Sequence, residues 1–501
     1  MAHPMITHPL GLAALATAQA IAGAGSVATP ARDEAVRTYR GLEEINPPAE
    51  PEPGPPTAIV GARLIDGRGG PAIPDAAVVI RGATIVAAGP RAGVEIPEDA
   101  RVVEAAGLSL LPGLIDAHFH HDRDDPGHRM LRLSLSRGVT TLRDPGHPIP
   151  AYQAVREAPG PLPRCFLTGR HLDQQPHAHP DDAEAIRTAA EARAAVGRRV
   201  AAGASAIKVY YRLPPELIGA ASEAAHARGV PVTAHLELVD AGRAIEAGVD
   251  GVEHVTSFGT ALAEPEPAAT FRAAVERDNE ARHEGRYRLW ATIEPEDNPR
   301  LGPLIEGMVA GGVVLSPTLA VFERRAGDRG VEGHHVRGFE AMLRFVGHCH
   351  EAGVPIVVGS HTWAPHAEEG GAYQRELELL VECGLTPGDA IVAATSRNAE
   401  YLGCADRLGA IAAGRQADVI LVAGDPLEDI AAMGAVRGVM LNGRWVGQGG
   451  GSARRSGIGD EPGREGAGGP GQIPRRHPVG CPGHAADRPA DRPGPWGWIG
   501  W

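Results

Sequence analysis

The chain has 501 residues, with 48 Lys and Arg, 62 Asp and Glu, and a formal net charge of −14 at pH 7. This acidic balance argues against a nucleic-acid partner. No uninterrupted apolar run approaches the ~20 residues that a transmembrane span needs. The five cysteines show no CxxC pair and no regular spacing, so they indicate neither a thiolate zinc site nor a disulfide framework.

The two ends of the chain are predicted to lie outside the folded core. Residues 1–56 form an N-terminal extension, of which residues 10–29 resemble the apolar region of a secretory signal without a preceding Lys or Arg. We therefore predict a cytoplasmic protein, with export as the alternative. Residues 44–56 are Pro-rich and acidic and are predicted to be an extended linker. Residues 448–501 are rich in Gly, Pro and Arg and are predicted to be a disordered tail.

Two groups of short strands flank the middle of the chain. Residues 57–110 contain alternating apolar runs separated by tight turns. Similar runs return in residues 405–447, where Asn442-Gly443 is the strongest hairpin signal. We predict that both groups together form one small β-sandwich domain.

The central residues, 111–404, alternate β-like runs with amphipathic helical stretches, which is the pattern of a parallel sheet. The predicted strands lie at residues 113–118, 139–143, 165–168, 206–210, 231–235, 251–254, 313–317 and 355–360. Eight strands over roughly 290 residues fit a (β/α)8 TIM-like barrel, whose functional site lies at the C-terminal strand ends. The predicted fold class is therefore α/β.

Three His-x-His pairs occur in the chain, and their contexts differ. His118 and His120 end an apolar strand, where residues two apart face the same side, so both are predicted to point into the barrel mouth. His348 and His350 lie in MLRFVGHCHEAG, which is predicted to be a helix, so their side chains point apart. The third pair, in the loop QQPHAHPDD, is predicted to be solvated, with contact to a substrate as the alternative.

Three further polar residues end later β-like runs. Lys208, His235 and His254 end the runs in ASAIKVYY, GVPVTAH and AGVDGVEH. A buried ammonium group at Lys208 is costly and repels metal cations, and carbamylation by CO₂ removes both problems. The alternatives for Lys208 are a side chain that reaches the barrel rim or one that pairs with a carboxylate such as Glu237.

In these residues and in the motifs around them, the chain resembles the amidohydrolase superfamily, nearest its prolidase-like and imidazolonepropionase-like branches. The similarity runs from about Ala58 to Val446 and includes LLPGLIDAHFH, RGVTTLRDPG, AIKVYY, AGVDGVEH and ELELLVECGLTPGDAIVAAT. The resemblance implies a metal-dependent hydrolase of carbon–nitrogen bonds. Its small-molecule substrate would be an amide, a dipeptide, an N-acyl amino acid or a cyclic amide.

The resemblance also implies a role for each candidate ligand. His118 and His120 would bind a first metal ion, zinc or another divalent ion. Carbamylated Lys208 would bridge to a second ion held by His235 and His254, so that the chain carries one or two ions. A bridging water whose pKa falls from ~15.7 toward ~7 would supply the hydroxide that attacks the carbonyl.

One position departs from the family pattern. The last strand of the family normally ends in Gly-Thr/Ser-Asp, whereas this chain reads Gly359-Ser360-His361. His361 either acts as ligand and base, for which an ordinary pKa of ~6.5 is suitable, or Glu368 or Glu369 folds in as the base. The third interpretation is a catalytically impaired protein that binds a metal or another ligand.

Substrate-contacting residues are predicted from the same resemblance. The hydroxyl of Tyr210 or Tyr211 would stabilise the developing oxyanion, with packing in the barrel wall as the alternative. The segment 258–312 is predicted to be a lid or wall of the site, with an ordinary helical insertion as the alternative. A homo-oligomer is compatible with the sequence.

Overall fold

The computed structural model describes residues 44–122, 124–125 and 127–447. The predicted signal-like segment and the predicted tail lie outside these residues. Backbone contacts divide the chain at Thr38, and every described residue lies on the C-terminal side of that point. Among the residues described, no helix combines the length and the apolar character that crossing a bilayer requires.

Strands and helices alternate through the middle of the chain and strands dominate both flanks. The strands are β1 (Thr57–Leu64), β2 (Ile73–Arg81), β3 (Thr84–Pro90), β4 (Arg101–Glu104), β5 (Leu108–Pro112), β6 (Leu114–Asp116), β7 (Val139–Asp144), β8 (Arg164–Leu167), β9 (His171–Asp173), β10 (Ala183–Ala185), β11 (Ile207–Val209), β12 (Val232–His235), β13 (Gly251–Glu253), β14 (Val314–Ser316), β15 (Val419–Ala423), β16 (Val436–Leu441) and β17 (Arg444–Trp445). The helices are α1 (Arg129–Ser136), α2 (Gln153–Glu157), α3 (Ala189–Ala201), α4 (Pro215–His226), α5 (Ala241–Glu246), α6 (Gly259–Leu262), α7 (Pro265–Arg277), α8 (Ala281–Trp290), α9 (Leu301–Gly311), α10 (Leu319–Phe322), α11 (Gly333–Glu351), α12 (Ala372–Glu382), α13 (Pro387–Ala394) and α14 (Ser396–Tyr401).

The flanking strands form a sheet from both ends of the described chain. Its order is β17-β16-β15-β5-β1-β2-β3, and β4 also pairs with β1. The strands from both ends therefore share one hydrogen-bonded sheet of eight strands, and their packing as a sandwich stays a prediction. Strand β1 joins the parts of this sheet, because it pairs with β4 along residues 57–60 and with β5 at residues 63–64. Gly61, at φ 84°, lies between these two stretches, at a register shift in the pairing of β1 with β2, and its conformation lets the strand change partner.

The central strands form two parallel sheets in a TIM-barrel-like arrangement. One sheet has the order β6-β7-β8 and the other β10-β9-β11-β12-β13-β14. Among the described residues, the strands of these two sheets are not joined into one closed ring of eight hydrogen-bonded strands, as the predicted barrel would be. Backbone hydrogen bonds span the two gaps. One runs from Ser205 N–H to Leu167 O (2.7 Å), and two others run from Ala117 N–H to Val358 O (2.9 Å) and from His361 N–H to His118 O (2.8 Å).

The predicted eighth strand, 355–360, is wrong as a strand. It forms an isolated bridge between Leu315 and Ile356. Beyond it the chain passes so close to the neighbouring segment that a Cβ on Gly359 would lie 2.6 Å from the Cβ of His118. The next positions have positive φ angles, which end an extended conformation.

Two other segments differ in detail from the predictions. Residues 44–56, the predicted linker, are anchored near their start, because Ile45 is buried and its N–H donates to Cys165 O (2.9 Å). The segment 258–312 folds into helices α6 to α9. Trp290 in this segment is fully buried and packs against Phe345, so it belongs to the core.

Candidate metal and catalytic site

The predicted site residues surround one small cavity at the end of the parallel strands. The cavity has ≈ 10 Å³ of space for the centre of a water-sized sphere, which is room for about one water molecule or ion. Its lining residues are His118, His120, Pro145, Gly146, His171, Lys208, Tyr210, His235, His254 and His361. All seven predicted site residues are therefore together. Sequence reasoning missed His171, which follows a turn rather than a long apolar run.

The strands explain this convergence. Lys208 lies in β11, His235 is the last residue of β12, and His254 directly follows β13. His118 and His120 follow β6 at alternate positions. Parallel strands direct their carboxyl ends to the same edge, where the fold places functional side chains.

The ring nitrogens of His118 and His120 face each other across 3.0 Å, Nε2 to Nε2. The opposite nitrogens face carboxylates: His118 Nδ1 donates to Glu253 Oε2 (2.7 Å), and His120 Nδ1 lies 3.6 Å from Asp144 Oδ1. Protons on both Nδ1 atoms leave a lone pair on each Nε2. Two such lone pairs at this separation are suited to bind one cation at ~2.1 Å from each nitrogen.

The other two predicted histidine ligands are held similarly. His235 Nε2 lies 3.5 Å from Glu237 Oε1, which leaves Nδ1 for an ion. His254 Nδ1 pairs with the hydroxyl of Thr318 (2.7 Å), which leaves Nε2. An oxygen partner on the far nitrogen is typical of metal-binding histidines, because it sets the tautomer and the ring orientation.

Lys208 is buried beside these rings. Burial lowers the pKa of its amine to about 8, opposed by the negative charge of Glu253. Within the described part of the chain, its Nζ atom has no hydrogen-bond partner. Glu237 lies 3.3 Å from Arg286 Nη2 and is not the partner of Lys208. Neither alternative for Lys208, the rim or the pair with Glu237, matches this placement.

Glu253 is the buried acceptor at the centre of the site, and sequence reasoning missed it. Its carboxylate accepts from His118, from Arg143 Nη2 (2.8 Å) and from the hydroxyl of Thr233 (2.5 Å). Burial alone would raise its pKa, but the charge of Lys208 and these donors hold the pKa well below its usual range. The available signal was an acidic residue inside an apolar run, since a buried carboxylate requires partners.

Glu253→Gln is expected to lower the free energy of unfolding by about 3–5 kcal/mol, because it leaves the guanidinium of Arg143 buried without its counter-charge. Denaturant unfolding of the metal-free protein measures the effect. The matched control is Glu104→Gln, whose exposed ion pair with Arg91 spans 3.9 Å and should contribute at most about 1 kcal/mol. Equal effects of the two substitutions would contradict a central role for Glu253.

Asp144 is a second missed carboxylate. It ends β7 and accepts from His147 Nδ1 (2.6 Å) and from the hydroxyl of Tyr152 (2.5 Å), besides facing His120. Burial would raise its pKa, but His147 and His120 lower the pKa well below its usual range. Asp144 could have been predicted from the sequence, because it ends an apolar run, as the predicted metal ligands do.

His361 lies against the first pair of histidines. Its ring stacks on His118 with centroids 5.3 Å apart and lies 4.9 Å from the ring of His120. Ligand atoms of these three residues fall within 4.8 Å of one another. Burial and the neighbouring imidazoles hold the pKa of His361 well below its usual value. In the described part of the chain, its imidazole faces neither a carboxylate, as the rings of His118, His120 and His235 do, nor a hydroxyl, as the ring of His254 does.

The alternative bases do not reach the cavity. Glu368 pairs with Arg137 (2.7 Å) and Glu369 pairs with Arg129. Both pairs lie at the surface, with side chains that are more than a third exposed for each glutamate. The structure therefore does not support the interpretation that Glu368 or Glu369 enters the cavity and acts as the catalytic base.

The two candidate tyrosines, Tyr210 and Tyr211, and the two histidines of the loop pair, His177 and His179, occupy different places around the cavity. Tyr210 lines the cavity, and its hydroxyl accepts from Arg282 Nη1 (3.4 Å). The hydroxyl of Tyr211 instead donates to Asn279 Oδ1 (2.5 Å). Arg282 also pairs with His179 of the loop pair through Nη2 and Nε2 (3.1 Å), so this loop forms part of the wall around Tyr210. His177 lies 4.0 Å from Asp173, measured from Nδ1 to Oδ2.

The remaining His-x-His pair confirms the prediction of a helix. His348 and His350 lie on α11, away from the cavity. Segment 258–312 contributes Arg282 to the wall, so it is a helical insertion of which one helix borders the site.

Backbone strain concentrates at the site. In the described part of the chain, six residues other than glycine have positive φ angles, and four of them belong to the site: His254 (63°), Thr318 (49°), His361 (56°) and Thr362 (71°). Each such conformation costs about 1–3 kcal/mol, and strained residues cluster where function requires a set geometry.

Comparisons with known proteins identify the family. The profile of the Amidohydrolase family matches residues 109–446. An N-acyl-D-aspartate deacylase of Alcaligenes xylosoxydans xylosoxydans is 42% identical over 85 residues, which are 17% of this chain and only 16% of that protein. An uncharacterized protein of Mycobacterium tuberculosis is 27% identical over 368 residues, which are 68% of this chain and 85% of that protein.

A solved structure supports the same relationship. A putative prolidase from Bifidobacterium longum superimposes with a TM-score of 0.62 at 25% identity, covering 80% of this chain and 97% of the other. The family match contains every residue that lines the cavity. The chain therefore belongs to the amidohydrolase family, whose members hydrolyse carbon–nitrogen bonds.

Proposed function

We propose that this protein is a metal-dependent hydrolase of a small molecule with an amide, dipeptide, N-acyl amino acid or cyclic amide bond. The observation that carries the proposal is the pair of Nε2 atoms of His118 and His120, 3.0 Å apart with each Nδ1 turned to a carboxylate. The deacylase and the prolidase named above support a substrate with a carbon–nitrogen bond.

The residues present fit a divalent ion, zinc or another, at one or two positions. His118 and His120 are the proposed ligands of the first ion. Lys208, as a carbamate, would help to hold a second ion together with His235 and His254. A buried amine that lacks a hydrogen-bond partner in the described chain supports this assignment, because a carbamate replaces a costly cation by an anionic oxygen ligand.

When bound, the divalent ion lowers the pKa of its water ligand toward ~7 and supplies the nucleophile at neutral pH. The hydroxyl of Tyr210, at the cavity wall, donates a hydrogen bond to the oxygen of the carbonyl under attack. His361 takes the proton of the attacking water on an imidazole nitrogen and passes it to the leaving nitrogen as the C–N bond breaks. The small cavity limits bulk water near the reacting carbonyl.

Removal of the metal is expected to abolish hydrolysis, and zinc is expected to restore it. The experiment combines metal analysis of the purified protein with a screen of dipeptides, N-acyl amino acids and cyclic amides before and after chelation. Turnover that is unchanged in chelated, metal-free protein would contradict the proposal.

The second candidate function is a catalytically impaired protein that binds a metal or another ligand. The replacement of the usual strand-end carboxylate by His361 favours it, since no glutamate of the following loop takes that place. Stoichiometric metal without turnover across the same panel would favour this candidate.

A further inference from the structure

The segment after the last bridge is tied back onto the residues that carry the first two histidines. The N–H of His361 donates to the carbonyl of His118 (2.8 Å). The hydroxyl of Thr362 donates to the carbonyl of His120 and accepts from the N–H of His120, both at 2.8 Å. One side chain therefore satisfies both backbone groups of a proposed metal ligand.

Thr362 holds this position in an unfavourable conformation. Its φ angle is 71°, and a β-branched residue in this region is a steric outlier. Glycine adopts such angles without steric cost, but it has no hydroxyl. The bonds to His120 are therefore the feature that accounts for threonine at a strained position.

These bonds matter because they lie closest to the imidazoles of His120 and His361. Before them, the segment is held by the bridge at Ile356, by the hydrogen bond from Ala117 N–H to Val358 O (2.9 Å) and by that from Ser360 N–H to Asp116 Oδ1 (3.0 Å). The position of His361 relative to His120 therefore depends most directly on the hydrogen bonds of residues 361 and 362. Ser360 supports the same turn, since its hydroxyl accepts from the N–H of Thr362 (2.9 Å).

We propose that Thr362 is a positioning residue, which holds His120 in place as a ligand of the proposed first metal ion and keeps His361 beside it. This inference rests on the proposed metal site. Groups that only orient a metal ligand typically contribute roughly 10- to 100-fold to metal affinity. We expect the hydroxyl of Thr362 to contribute to metal affinity by a factor in that range.

The test measures zinc affinity of metal-free protein by competition with a chromophoric chelator, after circular dichroism has shown that each variant is folded. Thr362→Val, which keeps the shape and loses the hydroxyl, should bind zinc roughly 10- to 100-fold more weakly. Thr362→Ser should retain wild-type affinity. Thr362→Gly removes the strain as well as the hydroxyl, so it should fold readily and still bind zinc weakly.

The matched control is Thr395→Val. Thr395 is a buried threonine whose hydroxyl donates to the carbonyls of Gly67 (3.2 Å) and Ile391 (2.5 Å), away from the cavity. Its loss should lower the melting temperature without changing zinc affinity.

Three results would overturn the inference: wild-type affinity in Thr362→Val or Thr362→Gly, equal weakening in Thr362→Ser, or equal weakening in Thr395→Val. A wild-type protein that binds no zinc would overturn the metal site and this inference together. Zinc binding that depends on the Thr362 hydroxyl, in a protein that hydrolyses nothing, would overturn the hydrolase function alone.

Discussion

His118→Ala is expected to abolish hydrolysis and to release the metal. The substitution removes one of the two converging Nε2 atoms and leaves Glu253 without the donor at 2.7 Å. Metal affinity should fall by more than the roughly 10- to 100-fold that follows loss of a group that only orients a ligand. Metal analysis of the purified variant, together with its rate on the best substrate of the wild-type protein, measures both effects.

The chain offers a matched control for this substitution. His348 also belongs to a His-x-His pair, but this pair lies on α11, where the side chain of His348 is 31% exposed. His348→Ala should leave metal content and rate unchanged. If His118→Ala kept its metal, or if His348→Ala lost it, the assignment of the site to the strand-end pair would fail.

His361→Ala is expected to lower the rate by roughly 10²- to 10⁴-fold, the usual contribution of a general acid or base. The imidazole lies against His118 and His120, and the described loop brings no glutamate in to replace it. The measurement is the rate of hydrolysis with metal content determined in the same samples, so that loss of proton transfer is separated from loss of metal. An unchanged rate would contradict a role in proton transfer.

His361→Asp distinguishes a working base from a lesion. The substitution adds a carboxylate beside the proposed cation site and replaces an imidazole, whose pKa burial and the neighbouring imidazoles hold well below its usual value, by a group of different charge. If His361 carries the proton, the low-pH limb of the rate profile should move, with hydrolysis present in both proteins. If the wild-type protein is catalytically impaired, hydrolysis should appear only in the variant. A profile identical to that of the wild type would contradict both interpretations.

Local pattern was sufficient for the ligands that stand at strand ends. His235 and Lys208 belong to strands, His254 directly follows a strand and His118 lies two residues beyond one, as their positions at the ends of apolar runs predicted. The same rule, applied to the run that ends in Asp144, would have found that carboxylate too. Pattern failed at residues 355–360, which are hydrogen-bonded to Leu315 and Ala117 but form only an isolated bridge, because an apolar run predicts burial and not a regular ladder.

The residue types at the site, their order along the chain and the family could all be read from the amino-acid sequence, since they depend on short motifs and on the alternation of side chains in strands. The groups that orient these residues became visible only in the folded chain. Glu253 and Thr318 reach His118 and His254 from other strands and turns, and Thr362 reaches His120 across 242 positions of sequence. Such contacts depend on how separate segments pack, and no local pattern contains that information.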